Sequence, residues 1–565
     1  MKINLSSRST RLIATFPRSF SYRYFKLVCL GLAETTILPL VAIASPSPDI
    51  NQPSLHLQVV VNSDRDGAVQ ADNALTLREA IHIVNGTLPL EKLSDREKTQ
   101  VQSLSSNAPS RIVFNLPSQQ TTIRLSEILP ALATPGLVID GTTQPGYVRE
   151  QEKKLPLASR LKPQAPSLQI PTPVVTITPA KDREIFRGLT VVADNVTIRG
   201  LSLYGFTSFH RDTATTPPAD IFIVDRLSPS ADVERQNDLS VYEHNNPSKG
   251  ALIEYNWLGL PPDASQPSTT SAFGVSVFNG VNATIRRNRI ANHDGSGIIS
   301  SVKAENLQVT QNIIQNNGFA GMPDAIRLEG SINGANVSAN LISGNAGSGV
   351  FLFKPEGAVQ IRNNTIKSNG RRLERAAIYL MGDNHQIINN SISNQPGPGV
   401  VVTSYPKSDR NRIQANEFDN LAGLAIDLVT QQNVEPQAYQ QGDGQNPPTN
   451  SHQRRRKTGN FGIDAPQFIS PEFIIINPKS GVTLVGKAEP GSQVEIYRSG
   501  KDAGTPEIVG KPIATVNTNE KGRFSITLGN LKVGDRVSAI ATHPNYGTSE
   551  PAINAVIHTI NNVRS

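Results

Sequence analysis

The stretch Ile285-Arg-Arg-Asn288-Arg-Ile290 decides the fold, because its pattern returns at regular intervals along the chain. The pattern is a β-branched residue, two spacers, Asn, one spacer and an apolar residue. Six copies have their asparagines 24, 28, 24, 26 and 26 residues apart, at Asn288, Asn312, Asn340, Asn364, Asn390 and Asn416. A fixed period in the twenties indicates a solenoid, in which each repeat forms one coil.

A second pattern lies between the copies of the first, and it consists of a small residue followed by alternating apolar positions. It occurs at Gly274-Val-Ser-Val277, Gly297-Ile-Ile-Ser300, Ala325-Ile-Arg-Leu328, Gly349-Val-Phe-Leu352, Ala377-Ile-Tyr-Leu380, Gly399-Val-Val-Val402 and Ala425-Ile-Asp-Leu428. Each repeat therefore holds at least two segments of period two, too short for helices and bounded by Asn, Gly, Ser or Pro. Such repeats predict an all-β chain that forms a right-handed parallel β-helix.

The repeated asparagines have a structural and a functional interpretation. At a corner of the coil, Asn adopts the left-handed αL conformation readily, and its side chain can satisfy backbone groups. Side chains on successive coils would lie ~4.8 Å apart, close enough to form a hydrogen-bonded ladder. Because every coil has such an Asn, we favour the structural ladder over a ligand site.

The positive charge of the chain is concentrated at its start. The 565 residues carry a formal net charge of +7, and residues 1–44 contain six cations and one anion. The remaining residues therefore carry only +2, which argues against nucleic acid as a partner.

Residues 1–44 have the organisation of a secretory signal peptide. A basic segment precedes the apolar run 27–44, which ends in the small-residue site Ala42-Ile-Ala44. This pattern predicts cleavage after Ala44 and a secreted or cell-envelope protein, and the alternative is an uncleaved anchor. The only cysteine, Cys29, lies in this segment, so the mature chain would have no disulfide. No later apolar run is long enough to span a membrane.

One amphipathic helix is predicted near the start of the mature chain. Thr76 and Glu79 form a capping box, and Gly86 suits the helix end. The apolar residues of one helical face are Leu77, Ala80, Ile81 and Val84. A helix placed before a β-solenoid can cover the first coil, whose edge would otherwise be open to strand pairing.

The same segment carries the first of several matches to a known family. Leu75-Thr-Leu-Arg-Glu-Ala80 resembles the CSLREA motif at the head of secreted bacterial right-handed β-helix proteins, with Leu75 where that family usually has Cys. Further matches follow at Ile112-Val-Phe-Asn-Leu-Pro117, Leu137-Val-Ile-Asp-Gly-Thr-Thr-Gln-Pro-Gly146, Val196-Thr-Ile-Arg-Gly-Leu-Ser-Leu203 and Ile253-Glu-Tyr-Asn-Trp-Leu-Gly259. The resemblance covers roughly residues 55–470, and it implies fold and export but no catalytic residue.

Composition divides the chain into five parts. They are the signal peptide 1–44, an N-terminal cap with the first coils at 45–185, the β-helix at 186–430, a polar linker at 431–470 and a C-terminal unit at 471–565. Residues 150–185 and 207–248 are expected to be inserted loops.

The C-terminal unit differs in character from the solenoid. Six short strands are predicted there, at 482–485, 494–497, 513–516, 524–528, 537–542 and 553–558, and their spacing indicates a β-sandwich. Gly486-Lys-Ala-Glu-Pro-Gly491 with Val494-Glu-Ile-Tyr497 is similar to bacterial Ig-like modules. That resemblance implies display or adhesion at a surface.

The sequence contains no recognisable catalytic or metal-binding motif. Ser63-Asp-Arg-Asp-Gly67 lacks the later ligands of a calcium loop, which favours a turn. Asn292-His-Asp-Gly295 comes nearest to a β-helix enzyme site, but a polar turn is the favoured interpretation. Zinc spacing, a nucleophile elbow and a phosphate loop are missing, so no metal, cofactor or catalytic residue is predicted.

Aligning the coils identifies one outward face as the candidate ligand site. In the second pattern the third position points outward, which places an aromatic patch beside charged residues. The candidates are Arg327, Glu329, Phe351, Phe353, Tyr379, Met381, Arg371 and Arg372. Two interpretations stay open: an exposed platform on which rings stack against sugars while Arg binds acidic groups, or a patch buried by a loop such as 207–248.

The sequence therefore predicts an exported, monomeric β-helix protein that binds polysaccharide or has a structural role at the cell surface. One alternative is a polysaccharide lyase or glycoside hydrolase that uses the same face. Another is an adhesin that binds a protein, which an exposed hydrophobic edge on the C-terminal unit would favour.

Overall fold

The computed structural model describes residues 56–149, 168–208, 217–227, 246–430, 440–449, 452–476, 481–500 and 504–559, all within the compact unit Ser54–Ser565. The predicted signal peptide, its cleavage site and Cys29 lie outside the described residues, so these stay predictions.

Three long sheets form the solenoid. Sheet 1 contains Val101–Ser103, Leu57–Val61, Arg111–Phe114, Val138–Asp140, Thr197–Arg199, Leu252–Glu254, Thr284–Arg286, Gln308–Thr310, Ala335–Ser338, Val359–Arg362, Gln386–Ile388 and Arg412–Gln414. Sheet 2 contains Arg187–Val191, Ala219–Ile223, Val275–Val281, Ile298–Lys303, Ile326–Ser331, Val350–Glu356, Ile378–Leu380, Val400–Val402 and Ile426–Leu428, with Ser248–Lys249 beside Val275–Val281. The solenoid strands of sheet 3 are Thr122–Leu125, Val175–Pro179, Leu201–Leu203, Trp257–Leu258, Arg289–Ala291, Ile313–Gln315, Leu341–Ser343, Thr365–Lys367, Ser391–Gln395 and Glu417–Leu421.

The chain is a parallel β-helix, because each full coil gives one strand to each sheet and successive coils pair in parallel. One coil, for example, contains Thr284–Arg286, Arg289–Ala291 and Ile298–Lys303. The sequence patterns separated only two segments per repeat. The third strand was hidden, since the Asn pattern spans both the end of a sheet 1 strand and the start of a sheet 3 strand.

The interior consists of apolar side chains stacked in register. The first residue of each Asn pattern pairs with its counterpart on the next coil, and these residues have no exposed surface: Ile285, Val309, Val337, Ile361, Ile387 and Ile413. Burying such a side chain stabilises the fold by about 1.5–3 kcal/mol. The strict period of the sequence follows from this stacking.

The corner between sheets 1 and 3 holds the Asn ladder. The backbone N–H and the Nδ2 of Asn288 both donate to Oδ1 of Asn312, at 3.0 and 3.1 Å, and Nδ2 also donates to the carbonyl of Ile253. The same arrangement continues through Asn340, Asn364, Asn390 and Asn416. All of these side chains are buried, so the ladder is structural.

One expectation about this corner is wrong. The αL conformation belongs to the residue before each ladder Asn, as at Arg287 (φ 52°), Gln311 (φ 56°) and Ala339 (φ 56°). The ladder Asn instead supplies the hydrogen bonds. At each corner, one residue therefore adopts the αL backbone conformation, and the ladder Asn that follows it makes the hydrogen bonds.

The N-terminal helix forms as predicted. It spans Leu77–Val84, Thr76 and Glu79 make the capping box, and its apolar face belongs to the solenoid core. A short helix, Asp95–Lys98, follows. Arg78 forms a buried bidentate ion pair with Asp66, at 2.8 and 2.9 Å, so the turn near Asp66 is tied to the helix.

The two expected inserted loops contain strands. Val175–Pro179 pairs in sheet 3 and Ala219–Ile223 pairs in sheet 2, so each segment contributes part of a coil. The sequence did not predict these short buried strands, because the residues that flank them are polar.

The C-terminal unit contains two sheets that share a core. Its larger sheet continues sheet 3 through Val509–Asn517, Gln493–Ser499, Arg536–His543, Ala555–Thr559 and Glu472–Ile475, with Gly547–Thr548 beside Arg536–His543. Its smaller sheet contains Val482–Lys487 and Arg523–Leu528, and Gln467–Phe468 from the end of the segment 431–470 pairs at its edge. A strand overlaps each of the six predicted segments, while the Ig-like assignment stays a prediction.

Side chains of the C-terminal unit close the last coil. Glu495 accepts the N–H of Ala415, Thr548 accepts that of Ile413, and Glu550 accepts that of Leu428. Each acceptor takes a backbone donor at the end of the stack, where a further coil would otherwise be needed.

The described part of the segment 431–470, which the sequence predicts as a polar linker, packs against the solenoid and the C-terminal unit. Its residues include the helix His452–Arg456 and the turn Gly459–Gly462. Asn460 accepts the N–H of Asn411 and donates to the carbonyls of Asn411 and Thr548. Asn460 thus joins the solenoid to the C-terminal unit.

Candidate functional site

The predicted outward row exists in the expected register. Arg327 pairs with Phe351, Phe351 pairs with Tyr379, and Glu329 pairs with Phe353 on neighbouring strands of sheet 2. The rings of Phe351 and Tyr379 stack with centroids 5.2 Å apart. We call Arg327, Phe351, Phe353, Tyr379 and Met381 the aromatic strip.

The centre of the aromatic strip is buried, so of the two interpretations the buried patch describes Phe351 and Tyr379. Phe351 and Tyr379 are each 1% exposed, and they cluster with Ala376, Val401 and Val429. Phe353 and Met381 are partly buried against this cluster. In this conformation a sugar could not stack on Phe351 or Tyr379.

The segment near this cluster differs from the one proposed as its cover. The carbonyl of Gln440 accepts the N–H of Ala376, which places residues from the expected linker beside the cluster. The described part of 207–248 packs elsewhere on sheet 2, where Phe222 and Phe278 have centroids 5.7 Å apart.

Arg327 is held by groups of the protein itself. Its guanidinium lies 4.8 Å from the Phe351 ring centroid and 4.5 Å from that of Phe353. It also forms ion pairs with Glu329 at 3.2 Å and with Asp324 at 3.8 Å. These contacts neutralise its charge and leave it poorly suited to bind an acidic ligand.

Asp324 is the buried anion at the centre of this charged group. It has no exposed surface and pairs with both Arg327 and Arg375, the latter at 3.5 Å. Burial raises the pKa of Asp324, although the two guanidinium groups oppose that effect. Burial also lowers the pKa of Arg375. The group is therefore an internal ion cluster.

The other two candidates, Arg371 and Arg372, lie at an exposed patch. Arg371 is 5.9 Å from the ring centroid of Phe319, and Nη1 of Arg372 donates to the Phe319 carbonyl at 3.3 Å. Phe319, Met322 and Leu373 are 46%, 43% and 38% exposed. We call these five residues the loop patch.

The pattern of the coils did not identify Phe319, because this ring lies in a longer turn between the two repeated patterns, a turn that recurs on only one other coil of this region, at 370–376. The Asn312-to-Asn340 interval of 28 residues, against 24 on either side, marks that turn as longer. The interval was therefore the available indication of an exposed insertion.

A second ladder, also missed, lines another corner five residues after the first. Its members are His293, Asn317, Asn345, Asn369 and Gln395. They share the period of the first ladder, so the same alignment could have identified them. These residues are buried and bonded to one another, which makes the ladder structural.

His293 lies in the bend between Arg289–Ala291 and Ile298–Lys303, where it connects the second ladder to a buried acid. Nε2 lies 2.9 Å from Oδ2 of Asp220, and Nδ1 lies 2.8 Å from Oδ1 of Asn317. The Ser271 hydroxyl donates to the other oxygen of Asp220. Burial raises the pKa of Asp220. Neither side chain of the His293–Asp220 pair is exposed, so no substrate can reach it in this conformation.

Carboxyl groups also gather where the last coil meets the C-terminal unit. Oδ1 and Oδ2 of Asp427 accept the N–H groups of Asp443 and Gly444 at 3.2 and 3.0 Å. Burial, helped by Glu550 and Asp443, raises the pKa of Asp427 well above its ordinary value. Burial raises the pKa of Glu550 to about 7. These acids act as hydrogen-bond acceptors that hold the junction together.

The described ranges contain neither a group of metal ligands nor a membrane-spanning helix. Across the residues that the structure describes, no three His, Cys, Asp or Glu side chains are grouped so that they could hold a metal ion. Within the same ranges, no helix has the length and apolarity needed to cross a membrane.

A family model described as periplasmic copper-binding protein (NosD) matches residues 264–434. The match to a periplasmic family is consistent with an exported protein, as residues 1–44 predict. No curated protein matches the chain at a significant level.

The residues of the matched segment do not fit a copper ion. Copper is bound by imidazole, thiolate or thioether groups, and the segment offers only His293, His385, Met322 and Met381. Both ring nitrogens of His293 contact Asp220 and Asn317. Those of His385 contact the Val359 N–H at 3.1 Å and the Met381 carbonyl at 2.8 Å. Neither imidazole has a free nitrogen for a metal.

Solved structures are similar at low sequence identity. ORF18 of Geobacillus virus E2 is 11% identical, with a TM-score of 0.41, 86% of this chain covered and 74% of that chain. The Streptococcus pneumoniae surface protein and adhesin PfbA is 13% identical, with a TM-score of 0.32 and coverage of 56% and 87%. The A-module of the Azotobacter vinelandii mannuronan C-5 epimerase AlgE4 is 12% identical, with a TM-score of 0.32 and coverage of 63% and 96%.

Proposed function

We propose that the protein is exported and binds acidic polysaccharide through the loop patch. The observation that carries this proposal is Phe319, an aromatic ring 46% exposed, with the Arg371 guanidinium 5.9 Å from its centroid. Export is supported by the predicted signal peptide and by the periplasmic family match.

The chemistry of the loop patch suits an acidic sugar. An exposed ring can stack on the carbon–hydrogen face of a pyranose, and a guanidinium can bind a carboxylate or sulfate through two hydrogen bonds. Among the described residues, neither Arg371 nor Arg372 forms an ion pair, unlike Arg327 and Arg375 nearby. Their charges are therefore open to a ligand.

The catalytic alternative has less support from the described residues. Glycoside hydrolysis requires two carboxyl groups that face the substrate. Asp220 and Asp324 are fully buried, and each is paired with a base inside the protein. We therefore place binding before a lyase or hydrolase.

A protein-binding adhesin is the second candidate, and the C-terminal unit provides its one supporting observation. Glu472–Ile475 is the last strand of the larger C-terminal sheet, and the nearby Ile469, Ile474 and Ile476 are 63%, 42% and 80% exposed. Exposed apolar residues on an edge strand can mark a docking surface. Ile474→Lys should then lower cell adhesion to protein-coated surfaces without affecting glycan binding.

The test of the main proposal is binding of polygalacturonate and alginate, with uncharged dextran as the reference polymer. Phe319→Ala and the double variant Arg371→Gln/Arg372→Gln should each weaken binding of the acidic polymers. Tyr405→Ala is the matched ring control, because Tyr405 is 65% exposed on the same solenoid, and Arg362→Gln is the control for charge. Equal loss in the controls, or no binding of acidic polymers, would contradict the proposal.

A further inference from the structure

A cavity lies where the last coil meets the C-terminal unit, and it is separate from the loop patch. Its volume is about 590 Å³, which is in the range of small-molecule sites. It is bounded by Leu428 of the last coil, by the segments 445–449 and 462–468, and by residues 553–555. We call it the junction cleft.

The walls of the junction cleft are apolar and rigid. Four prolines line it, and their rings fix the backbone around the opening: Pro447, Pro448, Pro466 and Pro471. Phe468, Ile463 and Ile553 add apolar surface. Ile553 is 54% exposed, so part of this surface is open to solvent. A wall fixed before binding loses little conformational entropy when a ligand enters.

The polar groups of the junction cleft exclude an anionic ligand. The lining contains two carboxyl groups, those of Asp464 and Glu550, and no Lys, Arg or His. Asp464 accepts the Thr449 N–H and lies 3.7 Å from Arg455, while Glu550 accepts bonds from Leu428 and Asn446. The lining therefore offers no cation to an anionic ligand, and both acids already have partners inside the protein, an arginine for Asp464 and N–H groups for Glu550.

An extended peptide also fits poorly. A strand that docks on a protein needs a row of backbone donors and acceptors from an edge. The edge strand in the lining, Gln467–Phe468, has only two residues, and the four wall prolines have no backbone N–H to donate. The polar groups at the rim are instead side-chain amides, and those of Gln445 and Gln467 belong to exposed residues.

We propose that the junction cleft binds an uncharged saccharide unit, with its carbon–hydrogen faces on the proline and isoleucine walls and its hydroxyl groups on the amides of Gln445 and Gln467. A pyranose ring has apolar carbon–hydrogen faces and polar hydroxyl groups, so it matches the apolar walls and the side-chain amides of the cleft. The cleft would then recognise uncharged sugars while the loop patch recognises acidic ones, and the two sites share no residue.

The experiment is saturation-transfer NMR of the full chain with three uncharged probes: maltotriose, cellotriose and triacetylchitotriose. At least one probe should receive saturation from the wild-type protein. Ile553→Asp removes apolar wall and adds an anion, and it should reduce that transfer at least fivefold. Gln445→Trp fills the rim from an exposed position and should have the same effect.

Two control variants distinguish binding in the junction cleft from binding elsewhere on the protein surface. Ile476→Asp makes the same change at a residue 80% exposed in the same unit but outside the cleft, and it should leave the transfer unchanged. The Arg371→Gln/Arg372→Gln variant should also leave it unchanged, which distinguishes this site from the loop patch. A peptide probe, decaproline, is measured beside the three saccharides. No transfer to any saccharide, equal loss in Ile476→Asp, or transfer to decaproline alone would overturn the proposal.

Discussion

The aromatic strip and the loop patch contain the same kinds of residue, yet only one is open to a ligand. In the strip, Arg327 lies over Phe351 and pairs with two acids, and the ring is 1% exposed. In the patch, Arg371 lies near Phe319, whose ring is 46% exposed. An aromatic ring beside arginine is therefore a structural core in one place and a candidate site in the other, and exposure makes the difference.

The largest expected effect tests the buried side of this comparison. Phe351→Ala removes a ring packed against Tyr379 and should lower the free energy of unfolding by roughly 3–5 kcal/mol. Phe319→Ala, at the exposed ring, should change it by less than about 0.5 kcal/mol. Urea unfolding of both variants measures the two changes in the free energy of unfolding. Similar losses of stability in the two variants would mean that the aromatic strip and the loop patch do not differ in burial.

The pH dependence of stability probes the end of the same outward row, where Asp427 lies beside Glu550. Burial raises the Glu550 pKa from its ordinary 4.5 to about 7, so the folded state holds this proton more tightly than the unfolded state. Its contribution is fully present below about pH 4.5, is lost as the pH rises to about 7, and amounts to about 3 kcal/mol.

This second prediction is checked by urea unfolding at several pH values between 4 and 8. Glu550→Gln should flatten the fall in stability between about pH 4.5 and 7, leaving the part due to Asp427. A slope unchanged by the substitution would show that Glu550 does not titrate in this range. Asp464→Asn, at a half-buried acid of the same junction with no Asp427 contact, is the control.

A third, smaller effect concerns the coil that joins Phe351 to Tyr379. Asn364→Ala should destabilise the solenoid by roughly 1–3 kcal/mol, because the Asn340 N–H and the Val337 carbonyl lose a buried partner. Hydrogen exchange should show the loss on the adjacent coils, because coils contact mainly their neighbours. An unchanged melting curve would mean that the ladder adds no stability.

The smallest effect concerns the exposed side of the comparison. Phe319→Ala should weaken binding of polygalacturonate by about 1 kcal/mol, the usual value of one stacking ring, at unchanged stability. Titration calorimetry at two salt concentrations would measure it. Arg371→Gln/Arg372→Gln should in addition reduce the salt dependence, since two exposed charges are removed.

The comparison also shows what the sequence could and could not reveal. The ladder from Asn288 to Asn416 and the pairing of Arg327, Phe351 and Tyr379 could be predicted, because stacking forces one residue of each kind into every coil. The burial of Tyr379 could not, because a period places a side chain outward without identifying what packs on it. Phe319 was missed for a different reason, since it lies in a turn outside the two repeated patterns, where most coils have a shorter connection.

The residue that adopts the αL conformation at each corner was also not predictable from the sequence. The αL residue before a ladder Asn varies freely, as Arg287, Gln311 and Ala339 show, so sequence alone did not identify it. The second ladder was within reach, because Asn317, Asn345 and Asn369 keep the same spacing from the first.

A stack of parallel coils has no intrinsic length, since every coil presents to the next the same backbone groups that it received. Left bare, the last coil would be a template on which another chain could polymerise end to end. Glu495, Thr548 and Glu550 occupy backbone donors of that coil, so the C-terminal unit acts as a terminator. The length of the solenoid is thereby set by the sequence of one chain.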